Sequence, residues 1–207
     1  MSEPGRGCEA GPGPTEQRII RLAGLLLCAT GLAACGPGST TAAPPDEAGD
    51  RKVERAQQAA AELGSRLKSR LVETLAAEGP VAAIRVCSDE APQIARQVSA
   101  QTGRTVSRTS LRVRNPDNTP DARERAVLEL WQKRIEDGTP PAALEAFVSD
   151  AGDDFLWMKP IVVAGPCLMC HGRSIPDNVA TAIADRYPQD RATGYAEGDL
   201  RGAFVVR

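Results

Sequence analysis

The sequence predicts an α+β domain, with helices first and the strands of an antiparallel sheet later in the chain. Two observations support this. Apolar residues recur every three or four positions through most of residues 51–98, as they do on one face of an amphipathic helix. Three later stretches, 104–114, 155–163 and 202–206, have the composition of short strands. Helices followed by scattered strands favour an α+β fold.

The first half of the domain is predicted to contain two helical stretches. The first covers residues 51–77 and ends before Gly79-Pro80, a pair that interrupts helices. The second runs from Val81 to Val98, with a kink or a division expected at Pro92, and Gly103 closes it. The apolar stripe of the first helix consists of Val53, Ala56, Ala60, Leu63, Leu67, Leu71 and Leu75.

The second half alternates strands and helices. After the predicted strand 104–114, a turn at 115–118 leads into a helix for which we expect Thr119 as N-cap and Pro120 as first residue. Gly138 ends this helix, and a shorter helix is predicted from Pro140 to Phe147. The remaining predicted elements are the strand 155–163, bent at Pro160, a helix over 176–187, and the strand 202–206.

The N-terminal 34 residues have the layout of an export signal. Arg18 and Arg21 precede an apolar run, 22–34, that is shorter than the about 20 residues a membrane-spanning helix needs. The run ends in Leu32-Ala33-Ala34-Cys35, which resembles a bacterial lipobox. We therefore predict a lipoprotein signal peptide over 1–34 and a lipid on Cys35; a buried helix or an ordinary secretory signal is the alternative.

Residues 35–50 are rich in Gly, Pro, Ser, Thr and Ala, which favours a flexible tether between the lipid and a domain over 51–207. This organisation predicts an exported protein on the periplasmic face of a membrane, and Gly36 favours the outer membrane. The 25 basic and 27 acidic residues are nearly balanced, so no nucleic-acid partner is expected.

The segment Cys167-Leu168-Met169-Cys170-His171 contains C-x-x-C-H, the pattern of c-type haem attachment. Two thiols at this spacing bond to the vinyl-derived carbons on one edge of the porphyrin. The following histidine is then held over the metal, where a neutral imidazole coordinates iron. The motif predicts one haem c per chain, attached through Cys167 and Cys170, with His171 as an axial ligand.

Three other interpretations of the motif stay open. A thiol–disulfide redox pair lacks the preceding βαβ context, and a structural disulfide leaves His171 unexplained. A zinc-stabilised binding module without haem would use Cys87, Cys167, Cys170 and His171. However, Cys170 and His171 are neighbours in the chain, and neighbours rarely reach the same tetrahedral ion.

The second axial ligand cannot be another histidine of the chain, because His171 is the only one. Met169 lies inside the attachment loop, which leaves Met158, Cys87, Lys159 or an open position. Cys87 is the cysteine left over after signal, lipid and haem have taken the other five. It also lies on an apolar helical stripe, so a core position explains it equally well.

The domain resembles a bacterial family of c-type haem domains with a PAS-like fold, a domain of unknown function found alone in exported proteins and as the sensing part of membrane signalling proteins. That resemblance implies a PAS-like antiparallel sheet flanked by helices, and iron held by His171 and by a thiolate at Cys87. The stretches that carry it are 84–87, 91–95, 108–112, 114–116, 159–161, 167–172, 187–188, 194–195, 198–199 and 201–203.

A His/Cys haem has a low potential, because a thiolate stabilises ferric iron. Two filled axial positions disfavour oxygenase or peroxidase chemistry, and no other catalytic motif is present in the sequence, so no enzyme is expected. Electron transfer with an unidentified redox partner is the first functional prediction. Redox or gas sensing through a signalling partner is the alternative.

Four arginines occupy alternate positions of the predicted strand 104–114 and would share one face of it. We expect one or two of them to pair with haem propionates and the others to be exposed. They are Arg104, Arg108, Arg112 and Arg114.

Overall fold

The computed structural model describes residues 45–149 and 154–207. The predicted signal peptide, Cys35 and most of the tether lie outside these residues, so those assignments stay predictions. The helices are α1 (Pro45–Arg85), α2 (Ala91–Thr102), α3 (Ala122–Glu136), α4 (Leu168–His171) and α5 (Asp177–Arg186), and the strands are β1 (Val106–Thr109), β2 (Ala146–Ser149), β3 (Phe155–Val162) and β4 (Leu200–Val206).

The N-terminal region is helical as predicted, but α1 begins at Pro45, within the stretch predicted as a tether, and continues past Gly79-Pro80, where the first helix was predicted to end. α1 is kinked at Gly79, whose φ of 82° is a conformation that favours glycine. A π-helical turn, Val86–Glu90, then separates α1 from α2. Pro92 lies in the first turn of α2, where its missing N–H leaves no hydrogen bond unmade, and Gly103 caps α2 with a φ of 65°. The expected division of the second stretch therefore falls just before Pro92.

Two local predictions were wrong. α3 is capped by Asp121 and not by Thr119, because Asp121 and Glu124 form a reciprocal capping box two residues further on. The predicted helix 140–147 is a single 3₁₀ turn, Pro141–Ala143, followed by the strand β2. The residues of β2 pair with β3, and this tertiary pairing outweighs local helix propensity.

The four strands form one antiparallel sheet in the order β1-β4-β3-β2. α1 and α2 pack on one face, where the buried strand residues include Val106, Trp157 and Val206. α3 packs on the other face through Leu128 and Trp131. The prediction of an α+β fold with an antiparallel sheet flanked by helices is confirmed.

β1 is shorter than predicted, and the chain leaves the sheet at Ser110. Beyond the end of β1, the side chain of Arg114 reaches α4, where it donates to the carbonyl of Cys170. Among the helices of the described residues, none has both the length and the apolar character needed to cross a membrane.

Candidate haem site

The C-x-x-C-H motif forms one compact turn at the end of β3. A 3₁₀ turn, Gly165–Cys167, leads directly into α4, so Cys167, Cys170 and His171 lie within one short helical segment. The chain leaves the helix at Gly172, whose N–H donates to the carbonyl of Leu168 at 2.8 Å. A Cβ at Gly172 would lie 2.5 Å from that same oxygen, so only glycine fits directly after His171.

His171 is held in one orientation by the main chain. Its Nδ1 lies 2.6 Å from the carbonyl oxygen of Ala192. A carbonyl only accepts, so Nδ1 carries the hydrogen and Nε2 keeps its lone pair for a metal. Burial, together with the charges of Arg201 and Arg114, lowers the pKa of His171 to about 3, which makes the imidazole neutral at pH 7.

Arg114 joins the motif to the segment that follows α5. Its Nη2 donates to the carbonyl of Cys170 at 2.6 Å, to Asp190 Oδ2 at 3.0 Å and to the carbonyl of Ala192 at 3.3 Å. Both members of the ion pair with Asp190 are buried, with side chains 8% and 9% exposed. Arg114 thus supports the carbonyl that orients His171.

Cys87 lies in the π-helical turn between α1 and α2 and is half-buried. Burial raises the pKa of this thiol, and the positive charges of Arg108, Arg114 and Arg201 oppose that rise. Cys87 also interacts electrostatically with Cys170 of the motif. The fold therefore brings together the leftover cysteine and the attachment motif, which are 80 residues apart in the sequence.

The predicted row of four arginines does not share one face, because β1 ends at Thr109. Arg104 lies over the ring of Phe155, with 4.9 Å from its Cζ to the ring centroid, and Arg112 lies over Tyr195 at 4.2 Å. Arg114 is only 7% exposed, and Arg108 is half-buried. Arg104 is half-buried as well, so the expectation that most of these four arginines are exposed was wrong, and Arg112 alone among them is exposed.

A fifth arginine, Arg201 of β4, belongs to the site and was assigned no role from the sequence. Its Nη1 donates to Ser110 Oγ at 3.0 Å and to the carbonyl of Arg112 at 3.2 Å. Its guanidinium also lies 5.5 Å from the ring centroid of Tyr195, and the ring of Tyr195 is nearly perpendicular to that of His171, with centroids 6.3 Å apart. The resemblance covered Tyr195 and Arg201, but only tertiary structure places them beside His171.

The other ligand candidates lie elsewhere. Met158 is fully buried in the core beneath α3, packed with Leu128, Trp131 and Val205. Lys159 Nζ lies 3.9 Å from a carboxylate oxygen of Glu145. In residues 45–149 and 154–207, no three side chains of His, Cys, Asp or Glu are grouped closely enough to hold a metal, so the zinc alternative finds no preformed site there.

A scan against protein-family models matches the chain over residues 43–207 to the model described as Tll0287-like. The chain belongs to the Tll0287-like family. A solved structure, the crystal structure of the cyanobacterial haem protein Tll0287, matches with 26% sequence identity and a TM-score of 0.54 over 79% of this chain and 95% of that chain. No curated protein sequence matches the chain.

Membership of the Tll0287-like family confirms the resemblance to a c-type haem domain family of unknown function, and the α+β architecture is consistent with a PAS-like fold. The relation to a haem protein supports haem binding. The side chains present also fit that group: two thiols lie in one helical turn, an imidazole nitrogen is free for iron, and a further sulfur and several guanidinium groups lie nearby.

Proposed function

We propose that the chain binds one haem c, attached covalently through Cys167 and Cys170, with His171 and Cys87 as axial iron ligands. The observation that carries this proposal is the orientation of His171, whose Nδ1 is occupied by the Ala192 carbonyl so that Nε2 is left for iron. The position of Cys87 supports it, because this thiol interacts with Cys170 and with two of the arginines that act on His171.

We propose further that the protein transfers single electrons and is not an enzyme. If His171 and Cys87 both held the iron, a substrate would reach the metal only after one of them had left. A thiolate ligand favours the ferric state and gives a low reduction potential. The proposed location is the periplasmic face of a membrane, held there by a lipid on Cys35, and the proposed partner is a redox protein at that surface.

Redox or gas sensing is the second candidate, and one observation favours it. Cys87 lies in a π-helical turn that is continuous with the long helix α1, and a glycine kink at Gly79 lies eight residues before it. Inserted π-helical turns often mark functional sites. Loss of the Cys87–iron bond would free this turn to change its winding and so move α1, which a partner could detect.

The two functions are separated by ligand exchange on the ferrous haem. Under electron transfer, we expect the ferrous spectrum to stay unchanged under carbon monoxide and the potential to be reversible in repeated titrations. Rapid formation of a carbonyl adduct, together with altered protease cleavage near Gly79, would contradict electron transfer and support sensing. Met158→Leu removes a buried sulfur that is not a proposed iron ligand, so this variant should behave like the parent protein under carbon monoxide.

A further inference from the structure

The two proposed axial ligands are surrounded by more positive than negative charge. Three guanidinium groups, those of Arg108, Arg114 and Arg201, act electrostatically on Cys87. Of these three arginines, Arg114 forms an ion pair with a carboxylate, that of Asp190. Two positive charges therefore remain without a carboxylate partner at a site that is largely withdrawn from water.

Arg114 is already committed to structure. Its Nη2 makes three hydrogen bonds that tie Cys170, Asp190 and Ala192 together. Moving this side chain toward a ligand would break the buried ion pair and release the carbonyl that orients His171. Arg114 consequently supports the motif, and its charge is already balanced by Asp190, although its Nε is buried without a hydrogen-bond partner.

Arg108 and Arg201 are in a different situation. The main chain of Arg108 pairs with β4, but among the described residues its guanidinium has no hydrogen-bond or ion-pair partner, and burial lowers its pKa. Arg201 donates only to neutral oxygens, those of Ser110 and Arg112. A guanidinium that is partly buried without an anion loses hydration that only a charged partner restores fully.

Space for an anionic group lies next to Arg201. A cavity of about 270 Å³ is lined by Arg201, Arg112 and Tyr195, together with apolar residues such as Leu111 and Leu200. Glu136 and Asp199 also line it, but in the described part of the chain neither is among the charged groups that act on Arg201. The lining is part polar and part apolar and includes neither Arg108 nor the residues of the attachment motif. Its guanidinium and apolar side chains suit a carboxylate at the edge of an apolar group.

We propose that Arg108 and Arg201 receive the two haem propionates, one carboxylate each. This inference rests on the proposed haem binding, and it assigns the only two anionic groups of the porphyrin to the two unmatched cations. Arg112 is excluded because it is exposed and stacked on Tyr195, and Arg104 because it lies over Phe155 at the other end of the strand.

The test uses the full-length protein carrying its haem, with the variants Arg108→Gln, Arg201→Gln and the double variant. Arg104→Gln is the control, since it removes the same charge from a position over Phe155. Two quantities are measured: the propionate bending bands in the resonance Raman spectrum, and the midpoint potential by spectroelectrochemical titration. Arg108→Lys and Arg201→Lys keep the positive charge, so the same quantities can be measured on them if a glutamine variant fails to fold.

We expect each glutamine variant to shift one propionate band and the double variant to shift both. The midpoint potential should become more negative in the same order, because removal of a cation next to a carboxylate favours ferric iron. The lysine variants should shift the bands but keep the potential near that of the parent protein. Unchanged bands and potential in haem-loaded glutamine variants would overturn this inference alone, whereas a protein without covalent haem would overturn the proposed function instead.

Discussion

Nδ1 of His171 donates a hydrogen bond to the main-chain carbonyl of Ala192 over 2.6 Å, and the same carbonyl accepts a bond from Arg114 at 3.3 Å. The imidazole is therefore oriented by a main-chain carbonyl, and a buried arginine holds that carbonyl in place. Because Arg114 also holds the carbonyl of Cys170, one guanidinium controls both the position of the attachment helix and the rotation of His171.

Removal of Arg114 should be strongly destabilising. In Arg114→Met, Asp190 would stay buried without a counter-ion, a change that costs about 3–5 kcal/mol of the free energy of unfolding. Urea titration monitored by circular dichroism measures this. Arg112→Met, which removes an exposed guanidinium two residues away, is the control and should cost far less. Equal losses in the two variants would show that the buried ion pair has no special role.

A side chain at Gly172 should distort the turn that carries the attachment motif. Gly172→Ala places a methyl group 2.5 Å from the carbonyl of Leu168, so α4 must shift, at a cost of roughly 1–3 kcal/mol. We expect a lower fraction of protein with covalent haem, measured by intact mass. Gly165→Ala, where the nearest atom is 3.8 Å away, is the matched control in the same turn. A Gly172→Ala protein with the haem content of Gly165→Ala would refute the steric argument.

The carboxyl of Asp121, at the start of α3, should make the free energy of unfolding fall at acid pH. Burial opposes ionisation of Asp121, but the N–H of Glu124 and the guanidinium of Arg207 outweigh it and lower the pKa of this carboxyl. A lowered pKa in the folded state gives stability that is present above the unfolded value of about 3.9 and is lost as pH falls through the folded value.

Asp121→Ala should cost about 1 kcal/mol at pH 7, the usual effect of losing an N-cap. The difference in the free energy of unfolding between this variant and the parent protein should shrink as the pH is lowered below 4, because the Asp121 carboxylate of the parent protein becomes protonated. Urea midpoints between pH 2.5 and 7 measure it, with Asp117→Ala as a control whose side chain caps no helix. A difference that is constant over this pH range would contradict the role of the charge.

The lipid anchor is tested by cell fractionation. Cys35→Ser should move the protein from the membrane fraction to the soluble periplasmic fraction and abolish incorporation of labelled fatty acid. Cys28→Ser lies in the same predicted signal peptide and should change neither. A membrane-bound Cys35→Ser protein would point to an uncleaved signal or another anchor.

The sequence predicted the elements whose signals are local. The apolar stripe marked α1 and Gly103 marked the end of α2, because each signal depends on the preferences of a few neighbouring residues. At Gly79-Pro80 the helix was predicted to end, but α1 only kinks there and continues to Arg85. The strand β2 was missed, since its residues become a strand only through pairing with β3. The prediction that four arginines share one strand face was wrong for a related reason. β1 ends at Thr109, and the alternation of a strand does not apply to residues beyond its end.

The motif itself was readable from the sequence, because C-x-x-C-H depends on spacing within five residues. The surroundings were not, since Cys87, Arg114, Ala192 and Arg201 come from four distant segments. The sequence alone left Cys87 and Met158 equal as ligand candidates, and the resemblance favoured Cys87. The structure buries Met158 in the core beneath α3, whereas Cys87 acts electrostatically on Cys170 of the motif, and this difference supports our proposal of Cys87.

The most direct measurement is the absorption spectrum of the protein, matured in a host with c-type haem machinery, beside its Cys87→Ala and Met158→Leu variants. We expect an intense Soret band that survives denaturation and acid–acetone extraction, a changed ferric spectrum in Cys87→Ala, and the parent spectrum in Met158→Leu. A colourless protein would contradict haem attachment at Cys167 and Cys170. A coloured Cys87→Ala protein with an unaltered spectrum would contradict Cys87 as the second iron ligand.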